Sequence, residues 1–275
     1  MGNKLIVTAA PHITGPDTTQ KIMQRVCIAL LPTLIASILI FGINALILTV
    51  ITVAACMFFE WGYCKLVGRE VPVGDFSAAV TGVLLAFNLP ATLPWWMAIV
   101  GAFIAIVIVK QLFGGLGYNV ANPAIVARIA LAMGFASRMA NYPHPANGID
   151  ALASATPLAV SGQMGAADYV TLLLGNHGGV LGETCAITLL IGGIYLIWTK
   201  VISPTIPVTY LATVAVFSLL CGYDPIYQLL SGGLILGAFF MATDYVTSPT
   251  TEKGKLVFGI GLGVITCLIR FFGTM

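Results

Sequence analysis

Long apolar segments alternate with short polar breaks along almost the whole chain. A helix that spans a membrane needs about 20 predominantly apolar residues. Nine segments approach this length and composition, at about 24–42, 44–66, 75–89, 94–113, 118–137, 180–199, 205–222, 226–243 and 255–272. Glycine, proline and asparagine occupy the breaks between them, as expected for turns. The pattern predicts an all-α, polytopic membrane protein.

The longest polar interruption, residues 138–177, separates the fifth apolar segment from the sixth. We therefore expect a single integral membrane domain, residues 1–275, made of two halves at about 24–137 and 165–272. A polar loop at about 138–165 joins the halves and offers the largest stretch of the chain for aqueous chemistry.

Composition agrees with a membrane protein. The chain is 59% hydrophobic and 8% charged, whereas charged residues make up about 25% of a soluble domain. The sequence carries no nucleotide-binding fold, iron–sulfur motif or nucleic-acid-binding feature. The six cysteines show neither a C-x-x-C pair nor metal-ligand spacing. They are either small core residues or ligands of a cluster shared with another subunit.

Basic residues predict the orientation, because cytoplasmic loops are enriched in lysine and arginine. With a cytoplasmic N-terminus and nine crossings, nine of the twelve Lys and Arg residues lie on the cytoplasmic side. Arg138 and Arg270 then lie outside, and Arg128 lies within a span. We expect no cleaved signal peptide, since the first apolar run begins near Val26. The expected location is the inner (cytoplasmic) membrane, with the 138–165 loop extracytoplasmic.

Two of the apolar segments are interrupted in a similar way. The third ends in the glycine-containing stretch 82–90, and the eighth ends in 233–244; each breaks into a polar stretch before a full-length span. The stretches 115–119 and 180–184, which open the fifth and sixth segments, are also similar. Short, Gly/Pro-interrupted segments at corresponding places in two halves indicate a transporter-like site between inverted repeats.

Six ionisable residues fall within or at the ends of apolar segments, where a charge is costly and faces a polar interior or an aqueous path. They are Glu60, Asp75, Arg128, Glu183, Asp244 and Arg270. Glu60 and Arg270 are close to segment ends and are expected to reach the interface. Asp75, Glu183 and Asp244 lie beside the interrupted segments. They are candidates for an ion path, or they cap helix ends.

The stretch 115–124 combines flexible glycines with two amide side chains, Asn119 and Asn122. Amides supply donors and acceptors that suit the heteroatoms of a ligand, and Pro123 fits the first turn of a helix. The stretch could bind the edge of a redox ring, form part of an ion path, or be an ordinary capped helix start.

Thr156 lies in the polar loop among small residues, and Pro157 favours an extended backbone at the threonine. A threonine in such a loop is ordinarily only solvated. Residues 150–156, however, resemble the signature Asp-x-x-(Ser/Thr)-Gly-Ala-Thr, at which flavin mononucleotide (FMN) is attached to a threonine. Asp150, Ala155 and Thr156 match the signature, whereas Ala153 and Ser154 depart from it.

Further motifs in the same order extend this resemblance over nearly the whole chain. They are the stretches 110–119, 122–124, 182–184, 240–244 and 246–249. Together they resemble the family of the D subunit of the Rnf complex, the ion-translocating ferredoxin:NAD oxidoreductase, and of the paralogous B subunit of the sodium-pumping NADH:quinone reductase. The B subunit usually has a longer N-terminal extension, so the resemblance to the D-type protein is closer.

The resemblance implies a scaffold of two inverted halves with about 9–10 spans. Nine segments are long enough to count as spans, and residues 166–176 are expected to form a further, partial helix. The resemblance implies that a separate flavin transferase attaches FMN to Thr156 through a phosphoester bond. Asp150, Ser154 and Ala155 belong to the loop around that threonine and are expected cofactor-site residues. Such a chain is a phosphoprotein. A second, non-covalent flavin (riboflavin) within the membrane is also implied.

The expected function is electron relay within a larger complex, coupled to Na⁺ or H⁺ transport, because flavin supplies the redox chemistry and the protein supplies position and electrostatics. The expected partners are the other Rnf subunits and the membrane lipid. Alternatives are a B-type subunit of the quinone reductase, a scaffold subunit without cofactor, and a solute channel or transporter, since inverted repeats with broken helices suit that class equally well.

Overall fold

A computed structural model describes residues 17–69, 72–142, 166–183 and 185–273. Every regular element in these ranges is helical, with no strand among them. The first half contains α1 (Thr19–Phe41), α2 (Ile43–Val67), α3 (Ser77–Phe87), α4 (Trp95–Gln111), α5 (Pro123–Gly134) and α6 (Ala136–Met139). The second half contains α7 (Ala166–Leu174), α8 (Ala186–Trp198), α9 (Thr205–Leu220), α10 (Pro225–Leu230), α11 (Leu234–Leu236) and α12 (Glu252–Phe272). The predicted all-α class is confirmed.

Helices occupy all nine predicted segments, but several are shorter than expected. Three of them, α1, α2 and α12, are long and apolar enough to cross a membrane by length and composition alone. Five further helices are apolar but have 10–17 residues. The predicted starts at 118 and 180 were wrong, because extended loops precede α5 and α8 and the helices begin at Pro123 and Ala186.

The eighth predicted segment is divided into three pieces. It runs through α10, an interruption at residues 231–233, the short α11 and a π-helical stretch, Gly237–Met241. A second π-helical stretch, Ile104–Gln111, forms the end of α4. Because π-helical turns insert an extra residue and are frequent at functional sites, both stretches make the ends of these helices candidate sites. The expected partial helix after the polar loop is α7.

Small residues allow close contacts between helices. A Cβ atom on Gly259 would lie 1.9 Å from Thr209 Oγ1, and one on Gly263 would lie 2.6 Å from Thr213 Cβ. The backbones of α9 and α12 therefore approach each other more closely than larger residues would permit. Similar use of small residues is common in membrane helix packing, where lipid provides no hydrophobic driving force between helices.

The two halves meet where α3 ends. The Gly182 backbone N–H donates to the Phe87 carbonyl at 2.8 Å, and the Leu181 N–H donates to the Leu89 carbonyl at 3.1 Å. These bonds satisfy carbonyls that the end of a helix leaves without intrahelical partners. The end of α3, in the first half, is therefore held by the loop before α8, in the second half, and this junction is buried.

Candidate functional site

A cavity of about 310 Å³ lies between the two halves. Its wall is formed by α1, α3, the end of α4, the loop before α5, and the chain from Phe239 to Val246. The polar side chains in this mostly apolar wall are Thr19, Ser77, Thr81, Lys110, Asn119, Asn122, Thr243, Asp244 and Tyr245. A concave, largely apolar site with a few converging polar groups is typical of a small-molecule site. The third and eighth predicted segments, which are interrupted in a similar way, both line this cavity.

The cavity includes both predicted amide residues. The Asn122 Oδ1 atom accepts bonds from the backbone N–H groups of Ala124 (3.0 Å) and Ile125 (3.3 Å), so this oxygen caps α5. Its Nδ2 group is not needed for the cap. Asn119 Nδ2 donates to the Ala121 carbonyl at 3.1 Å and leaves its Oδ1 for other partners. The two side chains therefore offer one amide donor and one amide acceptor at the same wall.

Asp244 belongs to the second half of the sequence but lies in the same cavity wall. It follows the π-helical stretch Gly237–Met241, and its carboxylate accepts from Val246 N–H at 3.3 Å and from the Thr247 hydroxyl at 3.4 Å. The carboxylate thus stabilises the turn that leaves the helix. Since Asp244 also lines the cavity, a helix cap and an ion-path residue are compatible roles here.

A buried ion pair joins α2 to α4. Lys110 Nζ lies 2.7 Å from Glu60 Oε1, and the side chains are 3% and 0% exposed. Gln111 Nε2 donates to the same oxygen at 3.0 Å. The sequence-based prediction that Glu60 reaches the membrane interface is therefore wrong. The lysine turns inward because its partner is a buried carboxylate.

The π-helical stretch explains how Lys110 and the next residue reach Glu60 together. The Leu112 N–H bonds to the Val107 carbonyl, five residues earlier, at 3.0 Å. This wider turn changes the angle at which successive side chains leave the helix. Consecutive residues that would diverge by about 100° in an α-helix can then face one partner.

The network continues from the ion pair to Asp75. Lys110 Nζ also lies 2.6 Å from Ser77 Oγ, and Ser77 Oγ lies 2.6 Å from Asp75 Oδ1. The same Asp75 oxygen accepts the Ser77 backbone N–H at 2.7 Å at the start of α3. Of the predicted ion-path residues, Asp75 and Asp244 are therefore connected to the cavity, the first through Ser77 and the second directly.

Glu183 belongs to a second polar cluster, at the junction of the halves. Arg128 Nη1 donates to Asn88 Oδ1 at 3.2 Å, and Asn88 Nδ2 lies 3.9 Å from Met241 Sδ. Glu183 is buried and lies within electrostatic range of Arg270. It does not line the cavity, so the structure separates it from the other two acidic candidates.

Arg270 donates to the carbonyl groups of Gln228 (2.6 Å) and Ser231 (2.9 Å). These carbonyls lie at the end of α10, where the eighth predicted segment is interrupted. The expectation that Arg270 reaches the membrane interface is therefore wrong. A guanidinium has five donors in a rigid fork, which allows it to bond two carbonyls at once.

The FMN-signature residues Asp150, Ser154, Ala155 and Thr156 lie outside the described residues. Within the described ranges, no group of three or more His, Cys, Asp or Glu side chains could hold a metal ion. Four of the cysteines are buried, Cys27 is half-buried and Cys221 is exposed. Buried positions of this kind are typical of small core residues.

Sequence reasoning missed the pairing of Lys110 and Gln111 with Glu60. The available signal was a glutamate inside one apolar segment and a lysine inside another, since two buried charges are costly unless paired. The sequence pattern alone does not show which two charged side chains pair, because the π-helical stretch Ile104–Gln111 sets the direction of the Lys110 side chain.

Comparison with known proteins gives agreement along nearly the whole chain. Residues 6–275 match the NQR2, RnfD, RnfE family. The D subunit of the Na⁺-translocating ferredoxin:NAD⁺ oxidoreductase complex of Acetobacterium woodii is 47% identical over 275 residues, which cover 98% of this chain and 86% of that protein. The D subunit of the proton-translocating ferredoxin:NAD⁺ oxidoreductase complex of Clostridium ljungdahlii is 37% identical over 290 residues, covering 98% and 88%. The corresponding D subunit of the ion-translocating oxidoreductase complex of Rhodobacter capsulatus is 36% identical, covering 95% and 84%.

Proposed function

Because the chain belongs to the NQR2, RnfD, RnfE family of membrane proteins, we propose that it is the D-type membrane subunit of an ion-translocating ferredoxin:NAD oxidoreductase. The observation that carries this proposal is the 47% identity to one such protein across 98% of the chain. The other subunits of that complex are its partners in the inner membrane. It contributes to a redox-driven ion translocase and is not catalytically complete alone.

Electron relay in this proposal uses FMN joined through its phosphate to the Thr156 hydroxyl. The threonine offers the required oxygen, and Asp150, Ser154 and Ala155 complete the loop that a flavin transferase recognises. The basic residues favour an extracytoplasmic loop, opposite the side where the soluble electron donors bind. Flavin supplies the electron-transfer chemistry, and the chain supplies its position.

We propose that the cavity holds a second, non-covalent flavin such as riboflavin. Its volume of about 310 Å³ is at the lower end of the range for small-molecule sites, about 300–1,000 Å³. The apolar wall suits a flat ring, and the free amide groups of Asn119 and Asn122 suit its polar edge. These two residues would orient the ring, while Phe239 and Phe240 would exclude water.

Ion movement is proposed to pass the same cavity, because Asp244 lines it and Asp75 connects to it through Ser77. Carboxylates beside interrupted helices are suited to a cation or a relayed proton. Redox change and ion movement would then share one buried volume, where a charge on one group acts strongly on another because the dielectric constant is low.

The proposal is tested in the native host. Deleting the gene for this chain should abolish ferredoxin-dependent NAD reduction by membrane vesicles, and complementation should restore the activity together with electron-driven uptake of Na⁺ or H⁺. Unchanged activity after deletion would contradict the proposal. A solute channel of similar scaffold predicts instead that redox activity persists while transport of a solute is lost.

A further inference from the structure

Beyond electron relay, we infer that Glu60, together with the Ser77 hydroxyl that Asp75 holds, forms a binding site for one monovalent cation, and that the Lys110 ammonium group is a tethered cation that competes for this site. The cation is Na⁺ or H⁺, since both bind carboxylate oxygen. The purpose of the site rests on the proposed ion-transport function, but its chemistry depends only on the network around Lys110.

The charges of the network do not balance. Two carboxylates, Glu60 and Asp75, share one ammonium group, with Ser77 Oγ between Lys110 Nζ and Asp75 Oδ1 at 2.6 Å from each. With all groups ionised, the network carries one net negative charge. Asp75 is only partly buried, whereas Glu60 is fully buried, and a buried charge is costly unless it is paired. Glu60 is therefore stable only with a cation beside it.

Glu60 provides the second, independent observation. Its side chain is 0% exposed, and its Oε1 atom accepts from Lys110 and Gln111, whereas Oε2 has no hydrogen-bond partner among the described residues. An ionised carboxylate offers about four acceptor positions. A buried carboxylate oxygen without a partner is costly, and a cation or proton that takes the place of the ammonium group and binds Oε2 removes that cost.

Lys110 has room to move. Its side chain lines the cavity, so the ammonium group can withdraw from Glu60 into that volume along its flexible four-carbon stem. Glu60 Oε1, Glu60 Oε2 and Ser77 Oγ would then be available as oxygen ligands. The ammonium and the free cation therefore exclude each other, and each state keeps Glu60 neutralised.

Other ionisable groups surround the network without supplying the missing charge. Cys56 and Cys64 face Glu60 from the same helix, and Arg69 acts on Cys64. Asp244 faces the cavity from the second half and adds another negative charge. The competition between Lys110 and an external cation therefore takes place in surroundings that favour positive charge.

The test measures ²²Na⁺ binding by equilibrium dialysis to the purified complex in lipid nanodiscs, without any electron donor. Lys110→Met removes the ammonium group that competes with Na⁺ for Glu60, so the affinity for Na⁺ should rise about tenfold or more, the factor by which a nearby charge that shifts a pKa by one unit changes a binding equilibrium. Lys110→Arg should lower it, because the guanidinium is permanently charged and binds carboxylate with two donors. Glu60→Gln should abolish specific binding. The matched control with no effect is Lys255→Met, because the Lys255 side chain is 18% exposed and pairs with the exposed Glu252.

The direction of the Lys110→Met result separates competition from a merely structural role. An affinity that is unchanged or lower in an assembled Lys110→Met complex would overturn the inference. If that variant does not assemble, Lys110→Arg decides, and wild-type affinity in it would overturn the inference equally.

A proton ligand gives a different pattern. The wild-type complex then binds no Na⁺, and electron-driven proton uptake is lost in Lys110→Arg and Glu60→Gln but kept in Lys255→Met. Normal ion uptake in the first two variants would overturn the site. Failure of the proposed function is seen separately, as absence of ferredoxin-dependent NAD reduction in the wild-type complex.

Discussion

The Gly182 backbone N–H donates to the Phe87 carbonyl at 2.8 Å, which joins the end of α3 in the first half to the loop before α8 in the second half. A Cβ atom on Gly182 would lie 2.5 Å from Phe87 Cβ and 2.9 Å from its Cγ. Because Phe87 is fully buried, neither residue can move aside without displacing its neighbours. The contact between the halves therefore depends on the absence of a side chain at this position.

Gly182→Val should destabilise the protein by about 1–3 kcal/mol or more, the usual range for overpacking a buried contact. The measurement is thermal unfolding of the purified protein followed by size-exclusion chromatography. Gly62→Ala is the matched control, since a Cβ at Gly62 would meet nothing within 4 Å. A Gly182→Val protein as stable as the control would show that the junction is more adaptable than its geometry indicates.

The buried Lys110–Glu60 pair should be far more sensitive to single changes than the exposed Lys255–Glu252 pair, although the bond lengths are 2.7 and 2.8 Å. Removing one partner of a buried pair typically costs about 3–5 kcal/mol, whereas exposed pairs contribute about 0–1 kcal/mol. Glu60→Gln should therefore lower the melting temperature more than Glu252→Gln. The double variant Glu60→Gln/Lys110→Met should be less destabilised than the sum of the two single variants. Purely additive losses of stability would contradict an energetic coupling between Lys110 and Glu60.

Asn122 allows the helix cap and the proposed flavin contact to be separated. Asn122→Asp keeps the oxygen that caps α5 but removes the amide donor at the cavity, whereas Asn122→Ala removes both, at a cost of about 0.5–2 kcal/mol. We expect reduced non-covalent flavin in both variants and reduced stability only in the alanine variant. Flavin released on denaturation is measured by chromatography. Normal flavin content in Asn122→Asp would restrict Asn122 to its capping role.

The helical class and the approximate positions of all nine segments could be predicted because long apolar runs are a strong signal. Ends of helices were less predictable: the loops before Pro123 and Ala186 are apolar enough to look like helix. The two π-helical stretches have no sequence signature, so the inward turn of Lys110 toward Glu60 could not be foreseen.

The candidate site was partly predictable. Asn119, Asn122 and Asp244 were singled out by residue type beside glycine-rich breaks, and the structure brings them to one cavity. Glu183 was selected by the same rule, yet it lies in the other polar cluster, because the break that contains it pairs with the end of α3. Sequence spacing identifies breaks, but the packing of the halves decides which breaks share a cavity.

Orientation is tested by cysteine labelling in intact cells. A cysteine placed at Asn147, in a Cys221→Ser background, should react with a membrane-impermeant maleimide from outside, because the basic residues predict an extracytoplasmic loop. The exposed native Cys221 follows the seventh segment and is expected on the same side, so it serves as the positive control in the unaltered chain. Labelling of position 147 only after the membrane is permeabilised would contradict the predicted orientation and place the loop on the cytoplasmic side.

The most direct test of the proposed electron-relay role is the covalent flavin on Thr156. Intact-mass measurement of the chain from its native complex, with fluorescence of the denatured band, should show one FMN. Thr156→Val removes the hydroxyl that a phosphoester requires and should lose the added mass and fluorescence while the complex still assembles. Thr156→Ser retains a hydroxyl and should keep part of both. An unmodified native chain, or fluorescence that persists in Thr156→Val, would contradict the assignment.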